Sequence, residues 1–384
     1  MTALSSSKLQ LNSIIALNAV STLAQIGQFG LGTTLFPIAL EAKGASPQVI
    51  GLVSAIFWVG MLLGLLIAGK LTRYFGYRNT VMLGLLGSAL SFVLTPLINW
   101  FWWALPALVI GFGMGLRWIA NEIWLYRLAP TQARGRVVGI HETLIGLASI
   151  IGPLIIVAVG AAKPTAFWLG AAICGLAIAP LFAATQLPAT DVASSQSVQR
   201  TSIWIFWLGL GGLVAGLGGW IEGSIIALLP VYTSDIGFAN NTAWLFTIFG
   251  IGAMLCQFPV GWLSDHKGVL WTGKLCAMIG ALAIMFALYF NQAMLALTVS
   301  IFLLGGITAG LLTLGMIWAA QHGTGAALTA KVRQVSIVYT SLSAAGPFVS
   351  GIVVNHSSSQ SLFWQQLVVI FVLLTVLFKA KASD

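Results

Sequence analysis

Apolar residues run along this chain in long unbroken blocks, and the polar residues between the blocks are few and clustered. The blocks fall at roughly residues 11–40, 48–70, 80–98, 102–125, 137–161, 165–185, 203–230, 243–264, 271–290, 293–320, 333–354 and 361–379. Crossing a ~30 Å hydrocarbon core takes roughly 20 helical residues, so each block is a candidate span. Strands of a membrane barrel would be shorter and would alternate in polarity. A helix also pairs its backbone polar groups within one segment, which lipid requires. The pattern predicts an all-α membrane protein with twelve transmembrane helices. The first block is too long for a signal-peptide core and has no small-residue cleavage site after a short core, so it reads as a retained span.

Composition narrows the class further. Of 384 residues, 59% are hydrophobic and 7% charged, against about 25% charged in soluble domains. A soluble globule and a disordered chain are both excluded. The three cysteines (Cys174, Cys256 and Cys276) sit inside apolar runs, which excludes a secreted disulfide scaffold. Twelve spans use about 240 residues, leaving no room for a separate soluble catalytic domain.

Lys and Arg orient the spans. With a cytoplasmic N-terminus, one face collects Lys8, Lys70, Arg73, Arg78, Arg127, Arg134, Arg136, Arg200, Lys267, Lys274, Lys331, Arg333, Lys379 and Lys381, which is 14 of the 17 basic residues. The other face holds Lys43 and Lys163, and Arg117 falls within a span. This bias predicts both termini in the cytoplasm of a multi-pass protein of the bacterial inner membrane. It also accounts for the net charge of +9 as topology and anionic-lipid contact rather than nucleic-acid binding.

The chain repeats itself. GKLTRYFGYRN from Gly69 returns as GWLSDHKGVLW from Gly261, and TTLFPIAL with Pro37 returns as IIALLPVY with Pro230. The segment around Gly115 matches that around Gly310, and RGRVVGIHET before Gly152-Pro153 matches KVRQVSIVYT before Gly346-Pro347. These landmarks keep nearly one offset, so the chain is two pseudo-symmetric six-helix bundles, residues 1–185 and 203–384. A polar cytoplasmic linker, 186–202, joins them. Each half starts on the same side, as in parallel repeats related by an axis along the membrane normal.

On these residues the sequence resembles the major facilitator superfamily. The carriers are GxLxxxxG at Gly69, FPVGWLSD with Gly268, EGSIIALLPVY in span seven and RGRVVGI opening span five. Within the superfamily it is most similar to short twelve-span bacterial members of mostly undefined substrate. The resemblance implies two bundles rocking about a central site lined by spans one, four, seven and ten. The chain departs from the pattern at Arg73, where an Asp is usual, at Ala107, where an Arg is usual, and at Ile155-Ile156, where an antiporter signature has glycines.

An ionisable side chain inside the membrane costs about 2.5–3.5 kcal/mol on insertion scales and marks function. Arg117, Glu122, Glu142 and Glu222 lie within predicted spans. At ~1.5 Å per residue, Arg117 is ~21 Å below the outer end of span four and Glu142 ~9 Å above the inner end of span five. They are then level, which predicts an Arg117–Glu142 ion pair, either a static brace or a pair responsive to protons or substrate. Glu122, about 140° around the helix from Arg117, is expected nearer the interface, snorkelling or meeting Arg127 or Arg134. Glu222 lies in the glycine-rich span seven and is the only ionisable side chain deep in the second half. A carboxyl withdrawn from water can take up and release a proton as its surroundings change, so Glu222 leads as the proton-coupling residue. Gln25 and Gln28, three apart on one face, with Asn121 and Gln257, are polar candidates for the substrate site. Asp265, closing span eight, is expected to latch the cytoplasmic side against Arg134 and Arg136 at the start of span five, with Gly261, Gly69 and Arg73 in the paired gate turns.

Other chemistry finds no support in the sequence. The four histidines have no ligand spacing, so no metal is expected. GLGGLVAG at Gly209 lies in an apolar helix without a preceding strand, and no Walker loop occurs. No cofactor and no enzymatic activity are expected. The function expected is secondary active transport of a small solute, proton-coupled, by a monomer, with import and export both open. The alternative is a transporter-like receptor or scaffold without flux.

Overall fold

The computed structural model describes residues 2–130, 133–161, 163–185, 209–322 and 325–380, without the side chains of residues 2–8, 134, 325, 326 and 329. The expected linker 186–202 lies outside the described residues. Among those described, eleven helices are long and apolar enough to cross a membrane. One of them, Pro47–Leu97, has 51 residues, or ~77 Å of helix at ~1.5 Å per residue, more than twice the ~30 Å core. It is two spans joined at Gly76, where the backbone leaves the helical region (φ 76°, ψ 168°). The expected twelve spans are therefore all represented.

We number them α1 (Leu9–Ala42), α2 (47–75), α3 (77–94), α4 (Ala104–Leu128), α5 (Arg134–Val159), α6 (Pro164–Ala183), α7 (Leu210–Asp235), α8 (Thr242–Lys267), α9 (Val269–Tyr289), α10 (Met294–Gln321), α11 (Gly325–His356) and α12 (Ser361–Lys379).

Two structural details carry the repeat. Gly268, between α8 and α9, has φ 84° and ψ 157°, nearly the conformation of Gly76 between α2 and α3. That region is essentially restricted to glycine, so the second Gly of each GxLxxxxG-type segment makes the same one-residue turn. Gly76→Ala and Gly268→Ala are each expected to cost about 1–3 kcal/mol, read as a lower melting temperature in detergent. An equal drop from Gly69→Ala, where a β-carbon would meet nothing within 4 Å, would contradict this.

The second detail is the Gly-Pro pair. A β-carbon on Gly30 of α1 would lie 2.9 Å from Gly152 Cα in α5. A β-carbon on Gly346 of α11 would lie 2.7 Å from Ser224 Oγ in α7. In each half the Gly before the proline lets the fifth helix close on the first.

The contacts divide the chain into two compact units, Met1–Leu35 with Val59–Gln199, and Phe36–Trp58 with Arg200–Asp384. In the first, α1 packs on α4, α5 and α6. Its middle, Gln25–Leu31, is a π-helix, where Gly32 N–H bonds Gly27 O, five residues back. In the second, α7 packs on α10 and α11, and α9 on α10 and α12. There Gly351 of α11 approaches α2 closely: a β-carbon on it would lie 3.1 Å from Gly51 Cα.

Candidate functional site

In the first unit, α1 presents Asn18, Ser21, Gln25 and Gln28 at steps of three, four and three residues, a spacing that keeps them on one helix face. Each finds a partner. Arg117 of α4 donates from Nε to Gln28 Oε1 (3.1 Å) and from Nη2 to Gln25 Oε1 (2.8 Å). Gln28 Nε2 donates to Ser88 Oγ of α3 at 2.8 Å. Asn121 Nδ2 donates to Ser21 Oγ (2.6 Å) and Leu17 O (3.2 Å). His141 Nδ1 of α5 meets Asn18 Oδ1 at 2.9 Å. Gln28 and Asn121 are fully buried and Arg117 is 1% exposed.

The expected Arg117–Glu142 ion pair is not formed. The π-helical segment carries both glutamine amides to the guanidinium, and their neutral oxygens satisfy it inside the bundle. Glu142 instead lies on an exposed part of α5 and accepts from Tyr126 Oη at 3.3 Å. Glu122, half-buried, accepts from Trp118 Nε1, one turn earlier on α4. The structure thus separates two groups that the sequence placed level: a sealed Arg117–Gln25–Gln28 brace and an open carboxylate face on α4 and α5.

In the second unit Glu222 of α7 is 9% exposed and accepts a hydrogen bond from Tyr339 Oη of α11. Small residues make the approach possible. A β-carbon on Gly219 would come within 2.6 Å of Tyr339 O, and Ser350 Oγ donates to Ser224 Oγ at 3.1 Å. The Tyr339 ring stands edge-on to Trp58 at 6.3 Å. Trp220 Nε1 is buried without a partner. Gln257 is exposed on α8.

The gate candidates sit at helix ends. Asp265 is exposed on the last turn of α8, Gly261 is half-buried one turn earlier, and Gly69 and Arg73 are exposed near the end of α2. Arg136 is exposed on the first turn of α5, and the side chain of Arg134 lies outside the described residues.

Sequence reasoning missed Asn18, Ser21, Tyr126 and Tyr339. Signals existed for some. Asn18 and Ser21 extend the stripe of Gln25 and Gln28. Aligning RGRVVGIHET with KVRQVSIVYT puts Tyr339 at the position of Glu142, so the two halves use one position for a carboxyl and a phenol.

A model of the Major Facilitator Superfamily matches residues 17–339. The chain is 25% identical over 370 residues to an uncharacterized MFS-type transporter of Enterobacter sp. (strain 638), covering 91% of each. It is 26% identical over 357 residues to an uncharacterized MFS-type transporter of Yersinia pestis, covering 90% of each. Among solved structures it resembles the nucleoside transporter NupG, with a TM-score of 0.76 at 15% identity, over 97% of this chain and all of that one. A D-xylose–proton symporter gives a TM-score of 0.75 at 14% identity, over 95% and 97%. At such identities the structural likeness speaks for the fold.

Proposed function

The chain belongs to the major facilitator superfamily, and from that premise we propose that it is a proton-coupled secondary transporter that moves a small solute by alternating access. Glu222 carries the proton. The observation that supports this most is a carboxyl withdrawn from water in a glycine-lined helix, with one phenol as its hydrogen-bond partner. A group so placed can change protonation when its chamber opens, and Tyr339 gives it a donor in the charged form. A proton symporter among proteins of like fold makes the chemistry reasonable for this architecture. The basic-residue bias supports a plasma-membrane protein with both termini inside. The working unit is a monomer of two six-helix halves, residues 1–185 and 203–384, within the lipid bilayer.

The test begins with purified protein and a panel of small solutes. A compound that raises the melting temperature prefers the folded state. Each hit then goes into proteoliposomes with and without an imposed pH gradient. Accumulation that follows the gradient supports the reading, and binding without any flux selects a receptor or scaffold instead. Asp265, the exposed carboxylate closing α8, serves the inner gate in this reading. Asp265→Ala is expected to raise labelling of cysteines introduced on the cytoplasmic side relative to the outer side. Labelling unchanged on both sides would remove Asp265 from the gate.

A further inference from the structure

Among the described residues Tyr339 is the titratable side chain that meets Glu222, donating from Oη to Oε2. A phenol hydroxyl lies on the axis of its ring, so a ring flip leaves it in place. Only a turn about Cα–Cβ carries it off the carboxyl. On the α7 side a β-carbon on Gly219 would lie 3.0 Å from Tyr339 Cδ2 and 2.6 Å from Tyr339 O, so the ring is pressed against backbone rather than against a side chain that could move. Tyr339 also packs on the small buried cluster of Ala215, Ala319 and Val335, which offers its hydroxyl no polar side chain. The remaining neighbour comes from the other sequence half. Trp58 of α2 is 3% exposed, and its ring stands at 86° to that of Tyr339 with the centroids 6.3 Å apart. Edge-to-face pairs at such separations attract through the ring quadrupoles. The indole is itself set by Phe57, edge-on at 5.9 Å.

The Trp58 contact is the inner rung of a seam. Phe36–Trp58 belongs to the second compact unit, and there α2 and α11 run antiparallel. A β-carbon on Gly351 would lie 2.8 Å from Pro47 O, and one on Gly51 would lie 2.9 Å from Gly351 Cα and strike Pro347 O. Trp58, two turns beyond Gly51 on the same face, meets Tyr339, two turns before Pro347. Pro347 has no N–H for the Ser343 carbonyl one turn back, so α11 can bend between the glycine contacts and Tyr339. α7 grips the same point from another side, since a β-carbon on Gly223 would lie 3.0 Å from Pro347 Cδ. Withdrawal of α2 from this seam therefore removes the indole from Tyr339 and frees α11 to bend at its weakest turn in one movement.

We propose that Trp58 is a positioning residue of the proton site. It keeps the Tyr339 hydroxyl on Glu222 while α2 is closed on α11, and lets the carboxyl exchange its proton when α2 withdraws. Tyr339 Oη occupies the place at Glu222 Oε2 that a water takes when a proton leaves or arrives. Once the hydroxyl has turned away, the O–H bond of the protonated carboxyl breaks, the proton passes to that water, and the carboxylate keeps the electron pair. This rests on Glu222 as the proton carrier and adds the part that times its exchange.

The experiment is hydrogen–deuterium exchange at the Glu222 carboxyl, followed by infrared spectroscopy of the purified full chain in proteoliposomes after a switch to heavy water. The band followed is the protonated-carboxyl C=O stretch that Glu222→Gln removes. Trp58→Ala is expected to speed its exchange about tenfold, the rate equivalent of one lost aromatic pair. Trp58→Phe keeps a ring at the contact and stays near the native rate. Trp58→Leu keeps apolar bulk without a ring and speeds exchange as well, which preserves the test should the alanine variant not fold. Melting temperatures of every variant report folding. Tyr339→Phe exchanges fast by itself, and adding Trp58→Ala to it changes the rate no further, because the indole acts through a hydroxyl already gone. Trp244→Ala, at an exposed tryptophan of α8 outside the seam, leaves the rate unchanged. A native rate in Trp58→Ala and Trp58→Leu, or a further rise of the same size in the double variant, overturns the role of Trp58. A spectrum from which Glu222→Gln removes no band overturns the proton-carrying reading itself, whatever Trp58 does.

Discussion

Glu222→Gln is expected to remove gradient-driven accumulation altogether while solute exchange across a membrane without a gradient continues. One pH unit is worth 1.36 kcal/mol, so one-to-one coupling sustains about tenfold accumulation per unit. In the variant the ratio falls to unity in proteoliposomes, because an amide cannot carry the proton. Tyr339→Phe tests the same group through its partner. It keeps the carboxyl and the ring but removes the hydroxyl that Glu222 accepts from, so accumulation persists with an altered pH profile. A purely structural Glu222 would give a different pattern, with Gln lowering the melting temperature and leaving the accumulation ratio at its native value.

Arg117→Ala is expected to be the most destabilising single change in the first unit. It strands the oxygens of Gln25 and Gln28 in a sealed seam and opens a cavity. Each buried acceptor left unpaired costs about 1–3 kcal/mol, and with the cavity the loss is about 3–5 kcal/mol. Arg117→Lys rescues little, since a lysine has a point charge rather than a planar fork to bridge two amides. Arg117→Met combined with Gln25→Leu and Gln28→Leu recovers much of the loss, because removing both partners leaves nothing unsatisfied. Thermal unfolding in detergent measures all three. If Arg117→Ala melts with the native protein and fails only in transport, Arg117 belongs to the substrate chamber and the brace is wrong.

Those two residues show where reading from sequence alone reached its limit. Depth along a helix follows from counting residues, so Arg117 and Glu142 could be placed at one level. Which way each turns follows from the helical phase of α4 and α5, and what meets Arg117 follows from α1, where the π-helical stretch at Gln25–Leu31 changes which residues face inward without a warning in the hydropathy. Gln25 and Gln28 were correctly put on one face, but that face meets Arg117 rather than open water. Glu222 was singled out by its isolation in span seven. Tyr339 was not, because a tyrosine in an apolar span has no local mark of its partner more than a hundred residues away.

The sequence by itself determined the twelve spans, their repeat in two halves and the family, since hydrophobic length and recurring Gly and Pro landmarks are properties of neighbouring residues. Gly76 and Gly268 stood out in the sequence as landmarks of the repeat, but their positive φ was read only from the structure. Only the tertiary structure decided which buried polar groups satisfy one another and which acceptors stay unpaired. Those pairings depend on helix rotation and on close approach at Gly30, Gly152, Gly219 and Gly346, and many different sequences with the same hydropathy would pair them otherwise.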